Sequence, residues 1–450
     1  MTHTAHGQRT AAATGTARRT GAAAGLVSGQ VVHVAGGPNT PGDLDTPKPH
    51  VGRGVILLLA LTCGVAVGNV YFPQAISPSV ASGLHITPDS AALVVTATQF
   101  GYAAGIFLLV PLGDRLPHRR LIVALLGLTG LGLLTASAAP GLMPLVGANA
   151  LVGVTTVVAP IIGPMAAGLV AENRRGVVSG TLLSGSIGGM LLSRTVGGTL
   201  GEQLGWRAPY LTAAALALIL AVFLARALPA TSPSSRQRYP ALLAQPLSLL
   251  RSEPELRRSC FYQGTIFAGF SAAWTGVALL LTGPAYDLST RAVGALALVN
   301  AGTMLCTPVA GRQADRRGPD AVNLVCMLGV IASAVILAAG GLGGAPGMAA
   351  LVLGSLLLDV AMQSGMVANQ VRNYALRPEA RSRVNTAYMT CAYLGGSAGS
   401  WLGACAYGRV GWWGVCALVA LLGALALARH LTALYGRRAR LGEDTVMSRC

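Results

Sequence analysis

The chain has 450 residues, of which 53% are hydrophobic and only 10% are charged, and its formal net charge is +17. Water-soluble proteins carry roughly a quarter charged residues, so this composition excludes an ordinary soluble domain and predicts a surface that faces lipid. The positive charge does not indicate nucleic-acid binding, because the basic residues fall in short clusters between apolar stretches.

The N-terminal segment 1–52 is rich in Ala, Gly, Thr and Pro and lacks apolar periodicity, which predicts a disordered cytoplasmic tail. The first long apolar stretch begins only near Gly54, which argues against a cleavable signal peptide. Beyond it, apolar stretches of about 18–25 residues recur, the length that a helix needs to cross about 30 Å of hydrocarbon. The twelve predicted spans are 54–76, 90–112, 121–139, 142–170, 177–200, 207–227, 259–282, 292–311, 321–341, 347–370, 384–405 and 411–431.

These spans form two sets of six, separated by a segment rich in Pro and Arg. The sequence therefore predicts an all-α membrane protein with twelve transmembrane helices in two six-helix bundles. Pro160 and Pro164 flank Gly163 in the fourth span and predict a kink there. The predicted domains after the tail are a first bundle at 53–228, a cytoplasmic linker at 229–257, a second bundle at 258–432 and a cytoplasmic C-terminal tail at 433–450.

The distribution of arginine predicts the orientation of the chain. Loops that remain in the cytoplasm retain Arg and Lys. With the N-terminus inside, the basic residues fall on the inner side except for Arg194, Arg207, Arg291 and Arg409. Both termini are therefore expected in the cytoplasm.

One loop motif occurs twice, at equivalent places in the two sets. Leu112-Gly113-Asp114-Arg115 follows the second span, and Gly311-x-x-x-Asp315-Arg316-x-Gly318 follows the eighth. The second copy resembles the loop signature of the major facilitator superfamily, and the resemblance extends over residues 54–431. In the first copy Val110 and Pro117 replace the two glycines. The resemblance implies a secondary transporter of the bacterial cytoplasmic membrane that works by alternating access.

The fifth span is similar to the signature G-x8-G-x3-G-P-x2-G-G of drug/proton antiporters in this superfamily. Its matching glycines are Gly180, Gly189, Gly197 and Gly198, but Ser193-Arg194 replaces the Gly-Pro pair. The signature arginine of the fourth helix in such relatives is also absent. The resemblance implies proton-coupled efflux of a small organic compound, and proton-coupled uptake of a nutrient or metabolite is the alternative.

Arg194 and Asp359 are the charged residues that lie well inside predicted spans. A charge at the bilayer centre costs about 2.5–3.5 kcal/mol or more, so each is expected to face the central cavity or a structural partner. Asp359 is the candidate proton site, and Gln363, one helical turn later, shares its face. Further candidates for the substrate and proton pathway, each of which could instead form a helix–helix hydrogen bond, are Asn69, Tyr71, Asn149, Gln263, Trp274 and Asn369.

The repeated loops predict a cytoplasmic gate in which Asp114 meets Arg383 and Asp315 meets Arg175, although these charges could instead be merely solvated. The complete predicted gate is Asp114, Arg115, Arg119, Arg120, Arg175, Gly311, Asp315, Arg316, Gly318 and Arg383. Close helix packing is predicted for Gly180, Gly185, Gly189, Gly197 and Gly198.

Other function classes are disfavoured by missing motifs. The sequence has no GxxxxGK[ST] motif and no CxxC pair, and Lys48 is its only lysine, so we expect no ATP hydrolysis, no metal and no cofactor. A membrane-embedded enzyme or a channel is a less favoured alternative. The expected partners are a small-molecule substrate, protons and the lipid bilayer, and the expected state is a monomer.

Overall fold

The computed structural model describes residues 52–170, 174–229, 237–377 and 380–447. The predicted tail 1–52 lies outside this part of the chain except for its last residue, and so do 230–236 of the linker and 448–450. The helices of the first set are α1 (Arg53–Leu84), α2 (Pro88–Leu109), α3 (His118–Ser137), α4 (Leu142–Thr155), α5 (Val158–Gly168), α6 (Arg175–Leu204) and α7 (Arg207–Ala227). The linker contains α8 (Tyr239–Ser252). The second set comprises α9 (Pro254–Thr282), α10 (Thr290–Asn300), α11 (Thr307–Arg317), α12 (Pro319–Ala338), α13 (Gly344–Leu376), α14 (Arg381–Val410) and α15 (Trp412–Met447).

The expected all-helical membrane fold is confirmed. Within the described ranges, nine helices are long and apolar enough to cross a membrane, counting α4 with α5 as one. The predicted fifth, eighth and eleventh spans, now α6, α10 with α11, and α14, are not among the nine. The many small and polar residues of these three spans lower their mean hydropathy. The total of twelve crossings therefore stays a prediction.

Prolines divide two of the predicted spans. The fourth is interrupted at Thr156 and Val157, between α4 and α5, rather than around Gly163 as expected. The break precedes Pro160 because a proline ring clashes with the carbonyl four residues earlier, which here belongs to Thr156. In the eighth span the 3₁₀ segment Ala301–Cys306 separates α10 from α11.

One pair of helices in very close contact occurs at the equivalent place in each set. α1 packs along α6, where a Cβ atom on Gly189 would overlap the backbone of Gly64. α9 packs along α14 in the same way, with Gly395 against the backbone of Gly264. Only glycine allows two helix backbones to approach this closely. The same contact at equivalent places supports the predicted duplication.

Two hydrogen bonds join the two sets toward one end of their helices. Ser397 Oγ of α14 donates to the Thr96 carbonyl of α2 at 2.9 Å, and Thr195 Oγ1 of α6 donates to the Gly294 carbonyl of α10 at 2.8 Å. At the other end of α2, Tyr239 of α8 donates to a backbone carbonyl at 2.6 Å. These two hydrogen bonds between the sets therefore lie toward the side away from α8.

Candidate functional site

Arg194 is fully buried in α6 and lies among three aromatic rings. Its guanidinium carbon is 4.3 Å from the ring centroid of Trp274, 5.0 Å from that of Tyr71 and 5.6 Å from that of Phe270. One terminal nitrogen donates to Oε1 of Gln74 at 2.9 Å. Aromatic faces attract a cation, and they do so more strongly when water is excluded, so these rings stabilise the buried charge.

Asp359 of α13 is 1% exposed, and its Oδ1 accepts a hydrogen bond of 3.2 Å from Nε1 of Trp274. Arg194 and Asp359 do not form a direct ion pair, since the ion pairs between described residues lie elsewhere. Trp274 contacts both charged groups and links them through its ring and its N–H. We call Tyr71, Gln74, Arg194, Phe270, Trp274 and Asp359 the central cluster.

Several polar atoms of the central cluster have no hydrogen-bond partner among the described residues. They are Nε and Nη1 of Arg194, Nε2 of Gln74 and Oδ2 of Asp359. A buried polar group without a partner costs about 1–3 kcal/mol, and more when it is charged. Their concentration at one point, where α1, α6, α9 and α13 meet, is what a binding site for a polar solute or a proton requires.

A layer of tyrosines adjoins the central cluster and joins the two sets of helices. The hydroxyls of Tyr71 and Tyr393 are 3.1 Å apart. The ring of Tyr393 also meets the ring of Tyr102 edge-on at 4.5 Å and that of Phe267 at 5.2 Å. These contacts connect α1, α2, α9 and α14 across the middle of the protein.

The other predicted pathway residues of the second set are buried but bonded to their neighbours. Gln363 donates to Thr303 in the 3₁₀ segment at 3.1 Å, so the face of α13 that carries Asp359 contacts the break between α10 and α11. Gln263 of α9 accepts from Tyr388 of α14 at 2.9 Å.

Asn369, nearer the end of α13, accepts from Asn323 of α12 at 3.1 Å. The side chains of Asn369, Gln363 and Gln263 thus have hydrogen-bond partners within the second set. None of these three hydrogen bonds involves a residue of the central cluster.

In the first set, Asn69 and Asn149 form hydrogen bonds between helices. Asn69 donates to Thr156 at the break between α4 and α5. Asn149 accepts from Thr98 and from Tyr210, and it donates to a carbonyl of its own helix. The structure does not bring Asn149 to the central cluster, because α2 and α7 occupy its amide, and the helix–helix alternative fits it better.

The predicted gate lies on the side of α8. Asp315, Arg316, Arg115 and Arg120 are exposed there, whereas Arg119 and Arg383 are partly buried. Gly318 has a φ of +82° where α11 turns into α12, a conformation that favours glycine. The side chain of Arg175 lies outside the described part. The pairing of Asp114 with Arg383 and of Asp315 with Arg175 therefore remains a prediction.

Four of the five predicted packing glycines lie in tight contacts. Gly185 and Gly189 meet α1, Gly197 meets Phe72, and Gly198 meets the backbone of α10. Gly180 is the exception, because a Cβ atom there would have no atom within 4 Å. Its predicted packing role is wrong, because Gly180 precedes Gly185 by five residues and so turns away from the face of α6 that α1 covers.

One charged cluster was not anticipated as a unit. Arg258 of α9 and Arg372 of α13, both almost fully buried, each form ion pairs with Asp320 of α12 and with Glu255. Arg258 also donates to Tyr262 at 2.7 Å. The signal in the sequence was a pair of acidic residues just before the predicted seventh and ninth spans, now at the starts of α9 and α12. We call this group, which stabilises the second set near its α8 side, the linker-side ion cluster.

Gln74 and Phe270 were also missed as site residues. Gln74 follows Tyr71 by three residues in α1, and Phe270 precedes Trp274 by four in α9. Helix periodicity alone places each beside a predicted site residue. However, neither residue carries a charge that would have singled it out.

Comparisons with known proteins agree with this architecture. The family description Major Facilitator Superfamily matches residues 57–400. The chain is 35% identical over 370 residues to the uncharacterized transporter YgaY of Escherichia coli O157:H7, an alignment that covers 82% of this chain and 93% of that protein. It is 34% identical over 382 residues to the Streptomyces coelicolor protein named "Probable transporter SCO4007", an alignment that covers 83% of this chain and 86% of that protein.

Solved structures show the same fold at low sequence identity. A crystal structure of the nucleoside transporter NupG has a TM-score of 0.67 at 13% identity, covering 84% of this chain and 98% of that one. A bacterial homolog of the human lysosomal transporter Spinster, in an inward-facing and occupied conformation, has a TM-score of 0.62 at 13% identity, covering 85% of this chain and 96% of that one. The chain is thus a multi-pass membrane transporter rather than an enzyme, and it belongs to the major facilitator superfamily.

Proposed function

We propose that this protein is a proton-coupled secondary transporter that moves a small organic solute across the bacterial cytoplasmic membrane by alternating access. Asp359 is the proton site, and Arg194 is the main solute-binding residue. The observation that carries the proposal is the central cluster, where one buried cation and one buried carboxylate lie beside unpartnered polar atoms. Intramembrane ionisable residues usually mark substrate or proton pathways.

Alternating access requires the two sets to rock about the central cluster. In our proposal they are six-helix bundles with twelve crossings, both termini lie in the cytoplasm, and a monomer suffices. The contacts at Thr195 and Ser397 support a closed arrangement on the side away from α8. When that side opens, Asp114 and Asp315 would close the other side against Arg383 and Arg175.

Efflux is our first candidate for the direction of transport, because the glycines of α6 resemble those of antiporters. Uptake is the second candidate, and one observation favours it. α6 is an uninterrupted helix from Arg175 to Leu204, with Arg194 where antiporters carry a proline. Everted and right-side-out membrane vesicles separate the two, since an exporter accumulates solute in everted vesicles and an importer in right-side-out ones.

The test of the function is solute flux in proteoliposomes with and without an imposed pH gradient. A carrier gives saturable flux that the gradient accelerates, and substitution of Asp359 by Asn removes the acceleration. Glu202→Gln is the matched control, because Glu202 is an exposed carboxylate of α6 outside the central cluster. Flux that does not saturate, or that ignores the gradient for every solute screened, would contradict the proposal.

A further inference from the structure

The unpartnered atoms of the central cluster are mainly hydrogen-bond donors. Nε and Nη1 of Arg194 and Nε2 of Gln74 are donors, whereas Oδ2 of Asp359 is the single unpartnered acceptor. A solute that satisfies this set must offer several acceptor atoms. We propose that the transported solute is a small organic anion, a carboxylate in the first instance, and that Arg194 and Gln74 bind its charged group. This inference rests on the proposed function and specifies its substrate class.

The guanidinium group suits a carboxylate in shape as well as in charge. Its planar fork presents parallel N–H donors that match the two oxygens of a carboxylate, and such charge-assisted bonds are about twice as strong as neutral ones. Gln74 already orients the fork through its Oε1. The arginine is therefore preorganised before the solute arrives, which lowers the entropy cost of binding.

The rings around Arg194 indicate what the rest of the solute resembles. Tyr71, Phe270 and Trp274 present aromatic faces to the guanidinium, and the aromatic layer continues through Tyr393. An apolar, planar body attached to the anionic group would pack against such surfaces. Aromatic monocarboxylates combine both features.

Organic cations are the opposite class, and the same geometry disfavours them. A cation at Asp359 would lie near the guanidinium of Arg194 in a region without bulk water, where like charges repel strongly. Trp274 also donates its N–H to Asp359, which occupies one carboxylate oxygen. Protonation of Asp359 would leave the central cluster with one net positive charge, the complement of a monoanion.

Binding can be tested without transport, so failure of the coupling mechanism does not affect the result. The probes are three acids, benzoate, phenylacetate and 3-phenylpropionate, each compared with the amide and the amine of the same skeleton. The readouts are thermal stabilisation of the purified full chain and the change in tryptophan fluorescence, with Trp274→Phe identifying the part due to Trp274. We expect at least one acid to bind at least about tenfold more tightly than its amide, as the loss of a hydrogen bond to a charged group predicts.

Variants connect that preference to Arg194. Arg194→Gln should abolish the preference for the acid, and Arg194→Lys should keep it with weaker binding, because lysine retains the charge but not the fork. Arg207→Gln is the matched control: Arg207 also lies 4.3 Å from a tryptophan ring, but its guanidinium donates to the carbonyls of Ser137 and Ala139. This variant should bind as the unmodified chain does.

Three results would overturn the inference. The first is that no acid binds more tightly than its amide, and the second is that an amine binds best. The third is that Arg194→Gln keeps the preference for the acid. If the Arg194 variants do not fold, Gln74→Leu is the deciding variant. It should weaken binding of the acid and affect binding of the amide less.

Discussion

The indole N–H of Trp274 donates to Oδ1 of Asp359, and the face of the same indole lies against the guanidinium of Arg194. One side chain of α9 thus touches the carboxylate of α13 and the cation of α6, although these charges do not pair directly. A movement that displaces α9 relative to α6 would change both contacts at once. This arrangement offers a physical connection between solute binding at Arg194 and the protonation of Asp359.

Two substitutions of Trp274 should separate its two roles. Trp274→Phe keeps an aromatic face for Arg194 but removes the donor to Asp359, whereas Trp274→Ala removes both. We expect gradient-driven flux to fall by about tenfold in the phenylalanine variant, since a hydrogen bond to a charged group contributes about 1.5–3 kcal/mol, and further in the alanine variant. Initial rates in proteoliposomes measure this order. A phenylalanine variant as fast as the unmodified chain would show that the hydrogen bond is unimportant, and equal rates in the two variants would show that the aromatic face is.

Asp359→Asn should uncouple transport from the proton gradient. Asparagine preserves the size of the side chain but cannot exchange a proton, so accumulation driven by a pH gradient should disappear. Exchange of solute between the two sides at equal pH should persist, because it does not require net proton movement. The two assays use the same proteoliposome preparation, and an Asn variant that still accumulates solute would exclude Asp359 as the proton site.

Gly189→Ala should destabilise the protein, while Gly188→Ala should not. A methyl group on Gly189 would overlap the backbone of Gly64, whereas one on Gly188 would have no atom within 4 Å. Overpacking of a close contact costs about 1–3 kcal/mol, and a helical alanine is otherwise preferred to glycine. Thermal unfolding in detergent compares the neighbouring variants directly, and a similar Tm for both would contradict the close approach of α1 and α6.

The contact of Gly198 with the backbone of α10 should control the state of the transporter. A larger side chain there would push against Thr290, which donates to the Gly198 carbonyl at 3.1 Å. Gly198→Val should therefore shift the population toward a state that is open on the side away from α8. Distances between spin labels at Ser79 and Ser289 should lengthen, and an unchanged distance distribution would mean that this contact does not hold the two sets together.

The linker-side ion cluster should be more important for stability than for transport. Asp320→Asn leaves Arg258 and Arg372 buried with less compensating charge. Removal of one partner of a fully buried pair costs about 3–5 kcal/mol, and we expect about 2 kcal/mol here because Asp320 is about a quarter exposed. The Tm should fall while the solute affinity of the folded fraction stays the same; a changed affinity with an unchanged Tm would assign the cluster to the solute pathway.

The membrane character of the chain, its family and the two charged residues of the central cluster could all be predicted from the amino-acid sequence. These features follow from local properties: apolar stretches of membrane-spanning length, a loop motif in two copies, and single charged residues within apolar surroundings. The glycines at Gly185 and Gly189 could also be assigned to packing, since their four-residue spacing places them on one helix face. Gly180 was wrongly given the same role, because its five-residue distance from Gly185 turns it about 140° away from that face.

Which residues meet at the centre depends instead on how the helices pack. Gln74, Phe270 and Trp274 become partners of Arg194 because α1 and α9 pass beside α6, a relationship between segments far apart in the chain. For the same reason, Asn149 is bonded to α2 and α7 and not to the central cluster. Hydrogen bonds and ring contacts depend on distances of a few ångströms between such segments, and periodicity within one helix cannot specify them.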